Sequence, residues 1–233
     1  MDGANVYKKF SGHKLNQVRI ATFKLAKAQK GQRALDIGCG RGEIIYALAK
    51  KGLQVTGVDF SPSAVELSLK TCARFVKNGQ VKIKQMNANN LKFPDNSFDL
   101  IIASDVVEHL SDRDMKKFAK ESYRVLAPAG KLIIHTLPTV NYKRIGQYLV
   151  KWYFDQKKIA WNTLTTKGEA ATGHVNIHSK KSLEDYLSIS FGKNVKVFYG
   201  PANPSGILKK IIGAFGLWQI FSHHLWAEAK KYE

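Results

Sequence analysis

The sequence predicts an α/β fold, with a mostly parallel sheet covered by helices on both faces. Two observations carry that expectation. From Gln32 to Leu137, short apolar runs alternate with amphipathic stretches, the pattern of a sheet buried on both sides. Three glycines, Gly38, Gly40 and Gly42, directly follow the first apolar run. A chain that turns sharply from a strand into a helix needs residues free of Cβ constraints there.

Residues 5 to 30, rich in lysine and nearly free of acids, are expected as a lead-in helix. Arg33 to Ile37 is the first strand and Glu43 to Lys50 a helix, closed by Lys50-Lys51-Gly52, since glycine accepts the backbone that ends helices. Gln54 to Asp59 is the second strand. Ser61 then caps a helix opened by Pro62, whose missing N–H costs nothing in a first turn. Val65, Leu69, Cys72 and Phe75 recur at helical spacing and are expected on its buried face.

Val81 to Met86 is the third strand and Phe98 to Ser104 the fourth. Asp112 to Leu126 is a helix burying Met115, Phe118, Ala119, Ser122 and Leu126. Ala129-Gly130 makes a turn, and Lys131 to Thr136 is the fifth strand. After Pro138 the alternation stops. Residues 139 to 181 are basic and aromatic and read as a lid insertion between the fifth strand and the next helix. Ser182 to Ile189 is a helix, Val195 to Tyr199 a strand, 206 to 221 an apolar helix, and His224 to Ala229 a last strand. The chain, 1–233, is expected as one domain: a lead-in (1–30), a core (31–138), a lid (139–181) and the C-terminal part of the sheet (182–233).

The glycines and the acid that ends the second strand define a nucleoside site. Glycines bring the backbone close to a ligand, and an acid about twenty residues on can hold both ribose hydroxyls. A dinucleotide site would place its third glycine one residue later. Here that position is Glu43, and Asp36 adds a second negative charge. Two acids at the loop repel a pyrophosphate and suit a cationic ligand.

The stretch LDIGCGRG resembles the first motif of class I S-adenosylmethionine-dependent methyltransferases. The resemblance continues through VTGVDFS, NANNLKFPDNSFDLIIASDVVEHL and YRVLAPAGKLIIHTLP, about residues 30 to 138. In wording it is similar to the type 11 subgroup, which includes quinone-pathway and lipid or sugar O-methyltransferases. It implies a Rossmann-like fold with a seven-stranded, mostly parallel sheet, and S-adenosyl-L-methionine as cofactor. It also implies that Asp36, Gly38, Cys39, Gly40 and Gly42 line the methionine half and Asp59 binds the ribose. Phe60 and Ser61 lie beside the adenosine, Asn87, Ala88 and Asn89 by the adenine, and Ser104 near the sulfonium. The family usually carries an acid where this chain has Asn87. An amide can still accept through its carbonyl, so adenine binding is expected to be weaker or altered.

Ligands of open α/β sheets bind at the carboxyl ends of the strands. Ser104 to Leu110 and His135 to Pro138 occupy those ends, which brings two histidines and two acids toward the transferred methyl. A neutral histidine is a suitable base near pH 7. His109 is the expected base, with Glu108 or Asp105 orienting it. The alternative is that His109 caps the following helix or packs under the lid. His174 and His178 are placed to reach substrate from the insertion. A metal site built from His109, His135, His174 and His178 is not expected.

With 37 Lys and Arg against 18 Asp and Glu, the net charge is +19, which attracts nucleic acid, anionic membranes or acidic metabolites. The two cysteines, Cys39 and Cys72, have no paired spacing, which fits neither a disulfide framework nor a zinc site and points to a cytoplasmic protein. The start lacks an export signal, and no run is long enough for a membrane span. The stretch Ile207 to Phe221 leaves peripheral membrane contact open. The expected substrate is a small-molecule or lipid-linked acceptor, methylated on oxygen, with the insertion's Tyr142, Tyr148, Trp152, Tyr153, Phe154 and Trp161 near it. RNA methylation through the basic surface and a non-catalytic cofactor-binding protein stand as alternatives.

Overall fold

A computed structural model describes residues 15–137, 175–200 and 224–232, together with Tyr148. The start of the lead-in helix, most of the 139–181 insertion with His174, and the apolar 206–221 stretch lie outside the described residues. The elements are α1 (Gln17–Ala26), β1 (Arg33–Ile37), α2 (Glu43–Lys50), β2 (Gln54–Asp59), α3 (Pro62–Thr71), α4 (Ala73–Lys77), β3 (Val81–Gln85) and β4 (Phe98–Ser104). They continue with α5 (Asp112–Val125), β5 (Leu126–Thr136), α6 (Lys180–Phe191), β6 (Val195–Tyr199) and β7 (Leu225–Lys230).

The sheet has seven strands in the order β3-β2-β1-β4-β5-β7-β6. All pairs from β3 to β5 are parallel, and β7 lies antiparallel between β5 and β6. From β1 the chain winds outward through β2 and β3, then returns to the other side of β1 as β4. That reversal opens a crevice at the carboxyl ends of β1 and β4, where such sheets bind ligands. Side chains alternate across the strands. Leu35, Ile37, Ile101, Ala103, Leu132 and Ile134 pack with Phe118 of α5 and Leu187 of α6 on one face. Ala34, Leu100, Ile102 and Ile133 pack with Ala26 of α1 and Ile45 and Leu48 of α2 on the other.

Four expectations are corrected. The lead-in helix ends at Ala26, because Lys27 takes a left-handed conformation (φ 46) and closes it. On α3 the buried residues are Ala64 and Ser68, whereas Val65 is half-buried and Leu69 is 38% exposed. The helix lies so close to the glycine loop that a Cβ at Gly42 would stand 2.6 Å from Ser68 Oγ, so only small residues fit that face. Leu126 belongs to β5, Val125 takes its place on the buried face of α5, and the Ala129-Gly130 turn is an irregularity inside the strand. Helix α6 starts two residues early, because Ser179 and Ser182 cap each other reciprocally at 2.8 and 3.0 Å.

Candidate active site

The glycine loop is held by the strand beside it. The N–H groups of Gly38 and Cys39 both donate to the Val58 carbonyl, at 2.8 and 3.0 Å. Gly38, Gly40 and Gly42 all have positive φ (69, 52 and 80). At Gly38 the requirement is twofold, since a Cβ would also stand 2.3 Å from Val106 Cγ2. The loop therefore touches the turn that follows β4, and the two sides of the crevice meet here.

Asp59, 5% exposed, ties the loop to the end of β2. Its Oδ2 accepts from Gly40 N at 2.9 Å and its Oδ1 from Ser61 N at 3.0 Å. An ionised carboxylate has about four acceptor positions, so capacity for two hydroxyls remains. Phe60 next to it is 75% exposed, and Ser61 caps α3. In the loop after β3, Asn87 is exposed and Ala88 buried. Asn89 is committed to α5, donating from Nδ2 to Asp114 Oδ1 at 2.6 Å, so Asn87 and Ala88 are the members of that trio left to meet a base.

The two acids at the loop differ from what the sequence suggests. Glu43 is bound by two guanidiniums, Arg19 at 3.3 Å and Arg41 at 3.8 Å, so it is not an uncompensated charge that would turn away a pyrophosphate. Asp36 is buried, and its carboxyl is pushed up to about 8, by burial above all, with the positive Arg19 opposing and Asp59 and Glu43 adding to the rise. A cation arriving beside Asp36 would favour its ionised form. Arg19, from α1, is a site residue the sequence gave no motif for. Burial also pushes both thiols up, Cys72 to about 12, and keeps Cys39 a neutral packing group.

At the end of β4, Ser104 Oγ is buried with no hydrogen-bond partner among the described residues. Asp105 takes a left-handed backbone (φ 59), and its N–H donates to the His135 carbonyl at 3.0 Å. Its Oδ1 lies 2.7 Å from His135 Nδ1, and His135 Nε2 lies 3.0 Å from His224 Nδ1. His135 is fully buried, and its ring packs 4.7 Å from that of Trp226. Glu108 accepts from Thr136 Oγ1 at 2.9 Å; burial, and next the Asp105 charge, push it up to about 8.

His109 is exposed in the short turn Val107–His109. Both acids expected to orient it are engaged elsewhere, Asp105 with His135 and Glu108 with Thr136. The cap of α5 is Ser111 rather than His109. His178, expected to reach substrate, is instead buried with Nε2 at 3.2 Å from the Val107 carbonyl. No metal-holding group of three or more His, Cys, Asp or Glu occurs among the described residues. Sequence reasoning missed the Asp105–His135–His224 chain. The available signal was that Asp105 and His135 end neighbouring strands. A separate concavity of about 790 Å³ lies at the amino ends of β5 and β6, lined by Lys131, Lys193, Lys196, Lys230 and Lys231.

Residues 35–134 match the family model described as a methyltransferase domain. The chain is similar to the demethylmenaquinone methyltransferase of Tropheryma whipplei (strain Twist), 32% identical over 116 residues, which are 50% of this chain and 46% of that protein. It is also similar to the chloroplastic tocopherol O-methyltransferase of Arabidopsis thaliana, 28% identical over 199 residues, 81% of this chain and 57% of that one. The chain thus spans about half the length of these curated relatives. Among solved structures, phosphoethanolamine N-methyltransferase 2 of Haemonchus contortus in complex with S-adenosyl-L-methionine shares the fold at a TM-score of 0.69 and 20% identity, covering 99% of this chain and 57% of that one. The matched residues run from β1 into β5 and so contain the glycine loop, Asp59 and the crevice itself. Over these residues, less than half of its length, the chain is similar to the methyltransferase domain, and it shares the fold of the S-adenosylmethionine-bound structure.

Proposed function

We propose that the protein transfers a methyl group from S-adenosylmethionine to a small-molecule or lipid-linked acceptor, with an oxygen atom as the acceptor site. The observation that carries the reading is Asp59, a buried strand-end carboxylate that fixes the glycine loop and keeps acceptor capacity for a ribose. When bound, S-adenosylmethionine supplies a methyl on a sulfonium. Asp36 offers a nearby negative charge to a cationic ligand, Phe60 an apolar face to a base, and Ser104 an unsatisfied hydroxyl inside the crevice. The acceptor class is supported by relatives named for demethylmenaquinone and tocopherol. His109, exposed beside the same strand end, is proposed to contact the acceptor.

Calorimetry with S-adenosylmethionine tests the cofactor half, and Asp59→Ala should abolish most of the heat. No heat up to about 1 mM, the upper end of ordinary KM values, would sink the proposal. Formation of S-adenosylhomocysteine with demethylmenaquinol, a tocopherol or phosphoethanolamine tests the acceptor half. A second reading, RNA as acceptor, rests on the lysine-lined concavity. It requires RNA affinity that falls steeply with salt, and salt-insensitive binding would remove it.

A further inference from the structure

The end of the sheet away from the crevice gathers charge by strand register. Lys131 of β5 lies directly opposite Lys230 of β7. Glu228, two residues back on β7, lies directly opposite Lys196 of β6. Opposite residues share a face of a sheet, and so do residues two apart. All four side chains therefore stand on one face, spread across three strands. Glu228 also lies opposite Ile133, so this is the face that α1 and α2 cover elsewhere. Here it forms the concavity of about 790 Å³, lined as well by Lys193 and by Tyr232, which is 47% exposed.

Like charges placed directly opposite each other across strands destabilise a sheet, and Lys131 and Lys230 are such a pair. Burial holds the Lys131 ammonium below its ordinary value; Glu228 opposes that, and Lys230 and Lys27 add to it. Glu228, 3.6 Å from Lys230 Nζ, is the one carboxylate of the lining among the described residues. The side chains of Lys193 and Lys196 are exposed and make no ion pair or hydrogen bond among the described residues. Positive charge thus exceeds negative on this face, and a bound anion relieves the repulsion. The Lys231 ammonium does not extend the row, because it donates to Asn96 Oδ1 and the Leu126 carbonyl at 2.8 Å each.

We propose that this face binds a compact oligophosphate, an anion with two or more linked phosphate groups, free or carried on a nucleoside. Lysine binds phosphate as a point charge on a flexible stem. Arginine, the residue suited to planar bidentate pairing with carboxylates, is absent from the lining among the described residues. Lys131 and Lys196 stand on strands separated by β7, about 10 Å apart at the backbone, and linked phosphates match that spread. The volume lies within the range of about 300–1,000 Å³ typical of small-ligand sites, which favours a compact anion over a long one. Thr136, at the crevice end of β5, is about 17 Å along the strand from Lys131. The bound anion therefore stands clear of the crevice, and the inference does not rest on the methyl-transfer reading.

Calorimetry of the full chain with inorganic tripolyphosphate, in phosphate-free buffer at about pH 7.5 where lysine is charged, should show saturable binding at one site, with a Kd below about 1 mM. K131Q and K196Q should each weaken it about tenfold, the worth of one charge-assisted hydrogen bond, and E228Q should tighten it. Lys196 is exposed, so K196Q removes no packing. Tripolyphosphate should also raise the thermal unfolding midpoint of the wild type more than that of K196Q. No saturable heat up to about 10 mM, where a 1 mM site is about nine-tenths filled, overturns the proposal. So does unchanged affinity in both K131Q and K196Q, or loss of the binding when S-adenosylmethionine is in excess, which would put the anion in the crevice. Adenosine triphosphate distinguishes the two sources. Equal or weaker affinity assigns the site to phosphates alone, and tighter binding to an oligophosphate carried on a nucleoside beside Tyr232. A single-stranded RNA that binds more than about tenfold tighter than tripolyphosphate, and loses that affinity in K131Q and K196Q, overturns the compact ligand in favour of a long polyanion.

Discussion

Gly38→Ala is the most informative single change in the loop, because two separate costs meet at one atom. Gly38 has φ 69, and holding an L-residue there costs about 1–2 kcal/mol. The added Cβ would also stand 2.3 Å from Val106 Cγ2. Valine is stiff about χ1, so relief requires a shift in the turn after β4, an overpacking cost of about 1–3 kcal/mol. The sum is about 2–5 kcal/mol. Gly79 supplies the control, with φ 78 and nothing within 4 Å of its added Cβ, so Gly79→Ala should cost only the backbone part, about 1–2 kcal/mol. Equilibrium urea unfolding of both variants measures the difference. Val106→Ala in the Gly38→Ala background should recover most of the steric part, a non-additivity expected only of groups in contact. Equal destabilisation at the two glycines, within about 0.5 kcal/mol, would refute the claim that the loop and the β4 turn are locked together.

Glu108 and Asp36 are each raised to about 8, so the folded protein keeps protons that the unfolded chain gives up between the ordinary carboxylate pKa and about 8. Their contribution to stability is present below that ordinary pKa and is lost as pH rises through about 8. Thermal unfolding of the cofactor-free protein should therefore weaken toward alkaline pH, and Glu108→Gln, which cannot ionise, should flatten the slope; a variant with the wild-type slope would contradict the burial argument. His109→Ala should raise the acceptor KM about tenfold, the effect of losing one contact worth about 1.4 kcal/mol, while calorimetric affinity for S-adenosylmethionine stays the same; an unchanged KM would remove His109 from the acceptor site. Arg19→Ala leaves buried Glu43 with only the longer 3.8 Å contact to Arg41. It should weaken both stability and cofactor affinity, read by urea unfolding and calorimetry, and unchanged cofactor affinity would show that α1 does not cover the site.

Local rules suffice where the chain itself fixes the answer. The period of apolar residues, the Ser61-Pro62 start and the glycine-closed end of α2 set most element boundaries to within a residue or two. The glycine loop and Asp59 lie about twenty residues apart on adjacent strands, so their meeting was legible before any fold was known. The sequence did not pair Glu43 with its cation, because Arg19 arrives from α1, an element with no motif. Nor did it show that Ala64 and Ser68, rather than Val65 and Leu69, face inward. That choice depends on how closely α3 must approach Gly42, a distance set by packing and not by periodicity.

The acid–base groups are the clearest case. Composition and position brought His109, His135, Asp105 and Glu108 to the carboxyl ends of β4 and β5. Only the tertiary structure decided their partners, because hydrogen bonds depend on which side chains meet across strands. His224, immediately before the antiparallel β7 and 89 residues beyond His135, completes a chain that begins at Asp105. The sequence by itself determined that this protein folds as an α/β sheet with a glycine loop and a strand-end acid at its switch point. The placement of β7 against β5 decided which second histidine the ring bonded to Asp105 would meet.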